Sequence, residues 1–206
     1  SYSEVVLAAF ASDLMQPAFS NLFVQTEILA PKHAIICTRR PRSAEETPPW
    51  MFHLMTIQGK NAEEISYETN RMEFIGRGNT TVNPQVMYKS GPLSGSQGSV
   101  LDPIVAIRYN IILEPDEAVT LEMITGIGET RDVCESLIDK YQDKHHQDRV
   151  FELAWTHSQV VLRQINATEA EAQLYGRLAS SILFINSVFR ADAAILISNH
   201  RGQSGL

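Results

Sequence analysis

Proton transfer near neutral pH needs either two carboxylates in unlike surroundings or a histidine set beside one. Glu68, Glu73 and Asp102 lie near loop-forming stretches and are the carboxylates to weigh. Nothing in their spacing pairs them across one bond, the arrangement that glycosidic cleavage requires. His33 and His53 lie among strand-forming residues and are the histidines to weigh beside a carboxylate. His145-His146, followed by Asp148 and Glu152, sets ligand-type side chains about one helical turn apart. Zinc sites take more committed ligands, and no Cys/His cluster completes this one, so the run reads as a solvated helix start. His157, beside Trp155 on the same stretch, reads as a packing histidine.

Thr125-Gly126-Ile127-Gly128-Glu129-Thr130-Arg131 follows a strand and opens a helix, as a dinucleotide loop does. Arg131 stands where that loop needs its third glycine, and no strand–helix–strand unit follows, so it reads as a strand-to-helix turn. The basic cluster Arg39-Arg40-Pro41-Arg42, with Glu45 and Glu46 close behind, reads as a solvated strand end. Trp50, Tyr88 and Trp155 have faces on which sugars stack, but a core or interface place is the ordinary one for such residues. Neither Gly-x-Ser-x-Gly nor a phosphate-binding loop occurs.

The elements that must position these groups divide at about Gly128. Before it, alternation and β-branching between turn signals predict strands at 4–8, 22–29, 34–40, 50–58 and, more weakly, 65–69. The segments 103–113 and 118–127 read as an antiparallel hairpin joined by Glu114-Pro115-Asp116-Glu117. Successive strands without helices between them point to an antiparallel sheet or sandwich. The Gly-, Asn- and Ser-rich stretch 73–99 reads as a structured loop anchored by Phe74, Ile75, Val82, Met87 and Tyr88. After Gly128, helices are predicted at 130–141, with Val133, Leu137 and Ile138 on one face, and at 143–165, with Val150, Phe151, Ala154, Trp155, Val161 and Leu162 in a stripe. Thr168 and Glu171 form a capping box for a third helix that Asn186 would stop.

Composition sets the limits. The 206 residues carry a net charge of -7, which argues against nucleic-acid binding, since phosphate contacts need a basic face. Two distant cysteines, Cys37 and Cys134, suggest no disulfide framework. No apolar stretch is long enough to span a bilayer. The strand-like start at Ser1 and the polar, glycine-punctuated run from Asn199 to Leu206 read as the edges of a piece cut from a longer chain.

Many short stretches, in order, carry a resemblance. They include Pro17-Ala18-Phe19-Ser20-Asn21-Leu22-Phe23-Val24-Gln25-Thr26-Glu27, Thr38-Arg39-Arg40-Pro41-Arg42-Ser43 and Phe74-Ile75-Gly76-Arg77-Gly78-Asn79. Further ones are Gly95-Ser96-Gln97-Gly98-Ser99-Val100-Leu101-Asp102-Pro103-Ile104, Leu153-Ala154-Trp155-Thr156 and Gly202-Gln203-Ser204-Gly205-Leu206. Together they resemble the carboxy-terminal, phosphorylase-like region of cyclic β-1,2-glucan synthases and, more distantly, cellobiose and chitobiose phosphorylases. The resemblance covers nearly the whole chain.

It implies a β-rich fold with an α-helical extension. Residues 1–128 would be part of a galactose-mutarotase-like β-supersandwich, and 129–206 a helical linker leading to an (α/α)6 catalytic barrel outside this chain. The catalytic acid and the phosphate site would lie in that barrel. No catalytic residue, metal or cofactor is therefore expected here, inorganic phosphate belonging to the intact enzyme. Arg77, Asn79, Gln97 and Asp102, then Gln203 and Ser204, are the residues expected to face the glucan cleft. Gly76, Gly78, Gly95 and Gly98 read as backbone geometry, and Asp102 can equally cap the turn before Pro103. The expected partner is a β-glucan oligosaccharide held by the intact enzyme, with no nucleic acid and no membrane contact by this segment. That enzyme would be anchored in the bacterial inner membrane with this segment at the cytoplasmic face, and the apolar helix faces admit a homodimer. Two rival readings are a free-standing aldose epimerase, against which the strand count is low, and an interaction module docking through its helices.

Overall fold

A computed structural model of the chain describes residues 1–41, 43–183 and 191–198. The chain divides into two compact units, Ser1–Gln147 and Asp148–Leu206. The first is a two-sheet sandwich. Strands β1 (Tyr2–Glu4), β5 (Glu64–Asn70) and β6 (Pro103–Asn110) form one antiparallel sheet in the order β1-β6-β5. Strands β2 (Val24–Leu29), β3 (Ala34–Arg39), β4 (Trp50–Gln58) and β7 (Thr120–Gly128) form the other, in the order β2-β3-β4-β7. The β-rich fold with a helical extension expected from the sequence is what the chain adopts.

The alternation of side chains explains the layers. Ile35 and Cys37 of β3 join Val24, Met51, Met55, Val105 and Ile107 in a core between the sheets. The intervening Ala34 and Ile36 join Phe52 and Leu54 in a second core on the far face. A helix, α4 (Arg131–Tyr141), covers that second core with Cys134 and Ile138, one turn apart. Thr130 caps it, its hydroxyl accepting from Val133 N at 3.3 Å. The seam thus runs through Cys134 and Ile138 with Leu137 beside them, while Val133, expected on it, is 44% exposed.

The structure corrects the sequence reading at four further places. The two segments expected to form a hairpin are β6 and β7, and they lie in different sheets. The Pro115-Asp116 turn exists, with Glu117 N bonding Glu114 O at 3.1 Å, but it carries the chain across the sandwich. β7 pairs instead with β4 in nine-residue register, Trp50 opposite Gly128 through Gln58 opposite Thr120. The first strand ends at Glu4, so only the start of the expected 4–8 strand is sheet, although Val5 and Leu7 still reach the core. Two short helices, α1 (Phe10–Met15) and α2 (Pro17–Asn21), with proline at the first position of α2, precede β2 where no helix was expected. The loop after β5 opens with a third, α3 (Arg71–Ile75), and is anchored by Ile75, Val86 and Leu93. Val82, Met87 and Tyr88 stand out in solvent.

Arg39 also departs from expectation. It ends β3 on the inner face, 3% exposed, with its guanidinium 5.4 Å from the Phe23 ring centroid. Arg40 is exposed, and Arg42 lies outside the described residues. The glycines of the strand-to-helix turn have a packing reason. A Cβ on Gly126 would stand 2.4 Å from the Phe52 ring, and one on Gly128 2.9 Å from Cys134 Sγ.

Helix α5 (Lys144–Gln164) begins in the first unit, where the buried Gln147 donates to Thr56 Oγ1 at 3.2 Å and to Tyr141 O. The second unit holds the rest of α5, α6 (Glu169–Leu183) and α7 (Ala193–Ser198). The capping box forms as expected, Thr168 N donating to Glu171 Oε2 at 2.7 Å and Glu171 N to Thr168 Oγ1 at 3.3 Å. The expected stop at Asn186 lies outside the described residues. Phe151 is 73% and Trp155 67% exposed, and His157, expected to pack, is exposed too. Among the described residues no helix is long and apolar enough to cross a membrane.

Candidate functional site

Residues 94–102 pass the outer edge of β2 as a strap that meets it at Gly98 and bends at Ser99, Leu101 and Asp102. Thr26 N donates to Gly98 O at 3.0 Å and Gly98 N to Thr26 O at 2.8 Å, a single antiparallel bridge. Ile28 N, which has no neighbouring strand on that side among the described residues, donates to Gln97 Oε1 at 2.8 Å. The strap covers what would otherwise be an open sheet edge. Gly98 adopts φ 97°, a backbone conformation that side chains rarely allow.

The strap is tied to β5 through a buried carboxylate. Glu68 is 1% exposed. Its Oε1 accepts from the backbone N–H groups of Thr69 and Asn70, at 3.0 and 2.9 Å. Its Oε2 accepts from the Ser94 hydroxyl. Burying a carboxylate without such donors costs several kcal/mol or more, on the order of the desolvation penalty of a charge. Thr69 Oγ1 bonds Ser96 O at 2.8 Å and Thr26 Oγ1 at 2.6 Å, so one buried hydroxyl pair joins β5, the strap and β2. Gly95 N completes the set on Tyr67 O at 3.0 Å.

Glu68 was one of the carboxylates to weigh for proton transfer. A group sealed from solvent and committed to three donors has no route to a substrate proton. Glu73 is exposed at the surface of α3. His53 is sealed as well, 4% exposed, with Nδ1 2.8 Å from Thr125 Oγ1 and Nε2 3.0 Å from Ser1 Oγ. Burial, and then the charge of the Ser1 ammonium, push its pKa down to about 4. His145 and His146 stand exposed, His146 Nδ1 lying 3.3 Å from Asp143. Among the described residues no cluster of three or more metal-type ligands occurs.

The expected cleft residues fall in two places. Asp102 accepts from Asn21 Nδ2 at 3.0 Å and lies 3.7 Å from Arg71, whose Nε also meets Glu4 at 3.0 Å. These ties gather the ends of β1, β5 and β6 at one end of the sandwich. The Glu4 carboxyl is held below its usual range, first by Arg71 and then by the Tyr2 hydroxyl. α3 leaves from this end, and its following turn carries Arg77 and Asn79, both exposed. Gln97 sits apart, on the strap at the β2 edge. Gln203 and Ser204 lie outside the described residues.

Two kinds of residue escaped sequence reasoning. Ser94, Ser96, Thr69 and Thr26 build the strap's anchorage, yet each is an ordinary small polar residue and no local signal marks it. Ser99 and Leu101, with Gln97, form the outward row of the strap. Exposure alternates over 96–102 in the folded chain, but the sequence there carries no matching alternation of polar and apolar residues. Of the stacking candidates, Tyr88 is 77% exposed, whereas Trp50 packs on the second core.

Residues 1–144 match the family model described as glycosyl hydrolase 94, supersandwich domain. Over all 206 residues the chain is 30% identical to the cyclic beta-(1,2)-glucan synthase NdvB of Rhizobium meliloti (strain 1021). The chain spans 7% of the length of that curated relative.

Proposed function

Since this chain belongs to the glycosyl hydrolase 94 supersandwich family, we propose that it is a non-catalytic, glucan-associated sandwich with a helical connector, part of an enzyme acting on β-1,2-glucan. The observation that carries this reading is the sealing of two of the acid–base candidates, Glu68 and His53. Glu68 and His53 are 1% and 4% exposed and fully engaged with their neighbours. An aldose epimerase would need such a pair open to a sugar. The match of all of this chain to 7% of a named glucan synthase supports the substrate class.

In this reading 1–128 is the sandwich portion and 129–206 the connector to a catalytic barrel. The general acid and any phosphate act there. Arg77, Asn79, Gln97 and Asp102 face the glucan side. The intact enzyme is held in the inner membrane with this segment at its cytoplasmic face. The exposed stripe of α5 supports self-association into a dimer.

The test is direct. Purified chain is incubated with β-1,2-glucan with and without inorganic phosphate, while sugar phosphate and free phosphate are followed. No turnover is expected in either case. Phosphate consumption by the pure chain would overturn the proposal, and faster mutarotation of fresh glucose, followed by polarimetry, would favour the epimerase instead.

A further inference from the structure

We propose that Glu68 is a positioning residue for glucan contact: its buried carboxylate holds the 94–102 strap so that Gln97, Ser99 and Leu101 form an outward row against the sugar chain. This rests on the glucan reading above. Glu68 does not touch the sugar and acts through Ser94. Its two backbone bonds lie within the β5 end, at Thr69 and Asn70, so the Ser94 hydroxyl is its one bond to the strap. Ser94 in turn lies 2.8 Å from Ser96 Oγ, next to the Thr69–Ser96 bond.

The inward residues of the strap are thereby pinned, and the outward ones inherit a fixed spacing. Gln97 Oε1 accepts from Ile28 N, which leaves the two Nε2 hydrogens as donors on an exposed side chain. Ser99 offers a hydroxyl, oriented by Arg40 Nη2 at 3.4 Å. Leu101, 77% exposed, offers an apolar patch. Donors for hydroxyls beside an apolar surface for C–H faces suit a glucan chain. Without the strap's anchorage that row would have to be ordered at the moment of binding, which costs affinity.

Three forms of the chain test this: wild type, Ser94→Ala and Glu68→Gln. Ser94→Ala removes the strap's bond and leaves Glu68 its two backbone donors, so the fold survives. Loss of one bond to a charged group predicts amide exchange about tenfold faster at Gly95 and Gly98, with Ile35 and Ile36 of β3 unchanged. Affinity for linear β-1,2-glucan oligosaccharides, followed by chemical-shift titration, falls by a similar factor of about ten. Glu68→Gln keeps an amide group facing the Ser94 oxygen and restores both readouts towards wild type. Unchanged exchange at Gly95 and Gly98 in Ser94→Ala, or equal acceleration throughout β3, would overturn the positioning role. If exchange responds as expected but wild type binds no oligosaccharide, the glucan reading fails and only the anchorage stands.

Discussion

Gly126 lies opposite Phe52 across the β4–β7 ladder, and the Phe52 ring fills the space where a Cβ on Gly126 would be, 2.4 Å from its Cε1. Phe52 is 2% exposed and belongs to the core under α4, so it has little room to retreat. The glycine that looked like part of a nucleotide loop is a packing requirement.

Gly126→Ala is therefore expected to lower stability by about 1–3 kcal/mol through overpacking. Thermal unfolding checks it, and Phe52→Leu in the same chain should recover part of the loss. Gly176, in α6, has nothing within 4 Å of where an added methyl would sit, and Gly176→Ala is expected to gain up to about 1 kcal/mol of helix stability.

His53 predicts a pH dependence. Its pKa in the folded chain is about 4, below its ordinary value of 6.5, because burial disfavours the imidazolium. The unfolded chain thus binds the proton more readily between these two values. Stability is complete above pH 6.5 and falls as pH drops towards 4, by up to about 1.4 kcal/mol per pH unit. Denaturant unfolding between pH 7 and about pH 5, above the range where most carboxylates titrate, reads this slope. His53→Leu should flatten it.

Both thiols should be inert in the native chain. Burial pushes Cys37 up to about 12 and also raises Cys134, so neither supplies a thiolate at neutral pH. Mass spectrometry after iodoacetamide should find no adduct in the folded chain and two after unfolding. Rapid native labelling of Cys134 would mean that α4 detaches from Phe52 and Leu54.

Phe151 and Trp155, one turn apart on α5 and mostly exposed, should drive concentration-dependent self-association. Light scattering is expected to report a mass above that of one chain, and the double change Phe151→Glu with Trp155→Glu to abolish the excess. A monomeric wild type at high concentration would remove the dimer from the proposed function.

Much of the secondary structure was legible because its causes are local. The β4 strand at 50–58 and the Thr168–Glu171 box each rest on residues within a few positions of one another. The strand-rich character before Gly128 and the helices after it follow from the same short-range periodicities.

Which strands pair was not legible. The turn at Pro115-Asp116 is real, but a turn fixes only a change of direction, and burial decides whether the next strand stays in the same sheet. The same limit hid Arg39, whose neighbour Arg40 is exposed while its own alternation turns it inward. It also hid Glu68, whose third donor, Ser94, is 26 residues away. Local periodicity can be read from a chain, but contacts between distant residues exist only once the chain has closed around them.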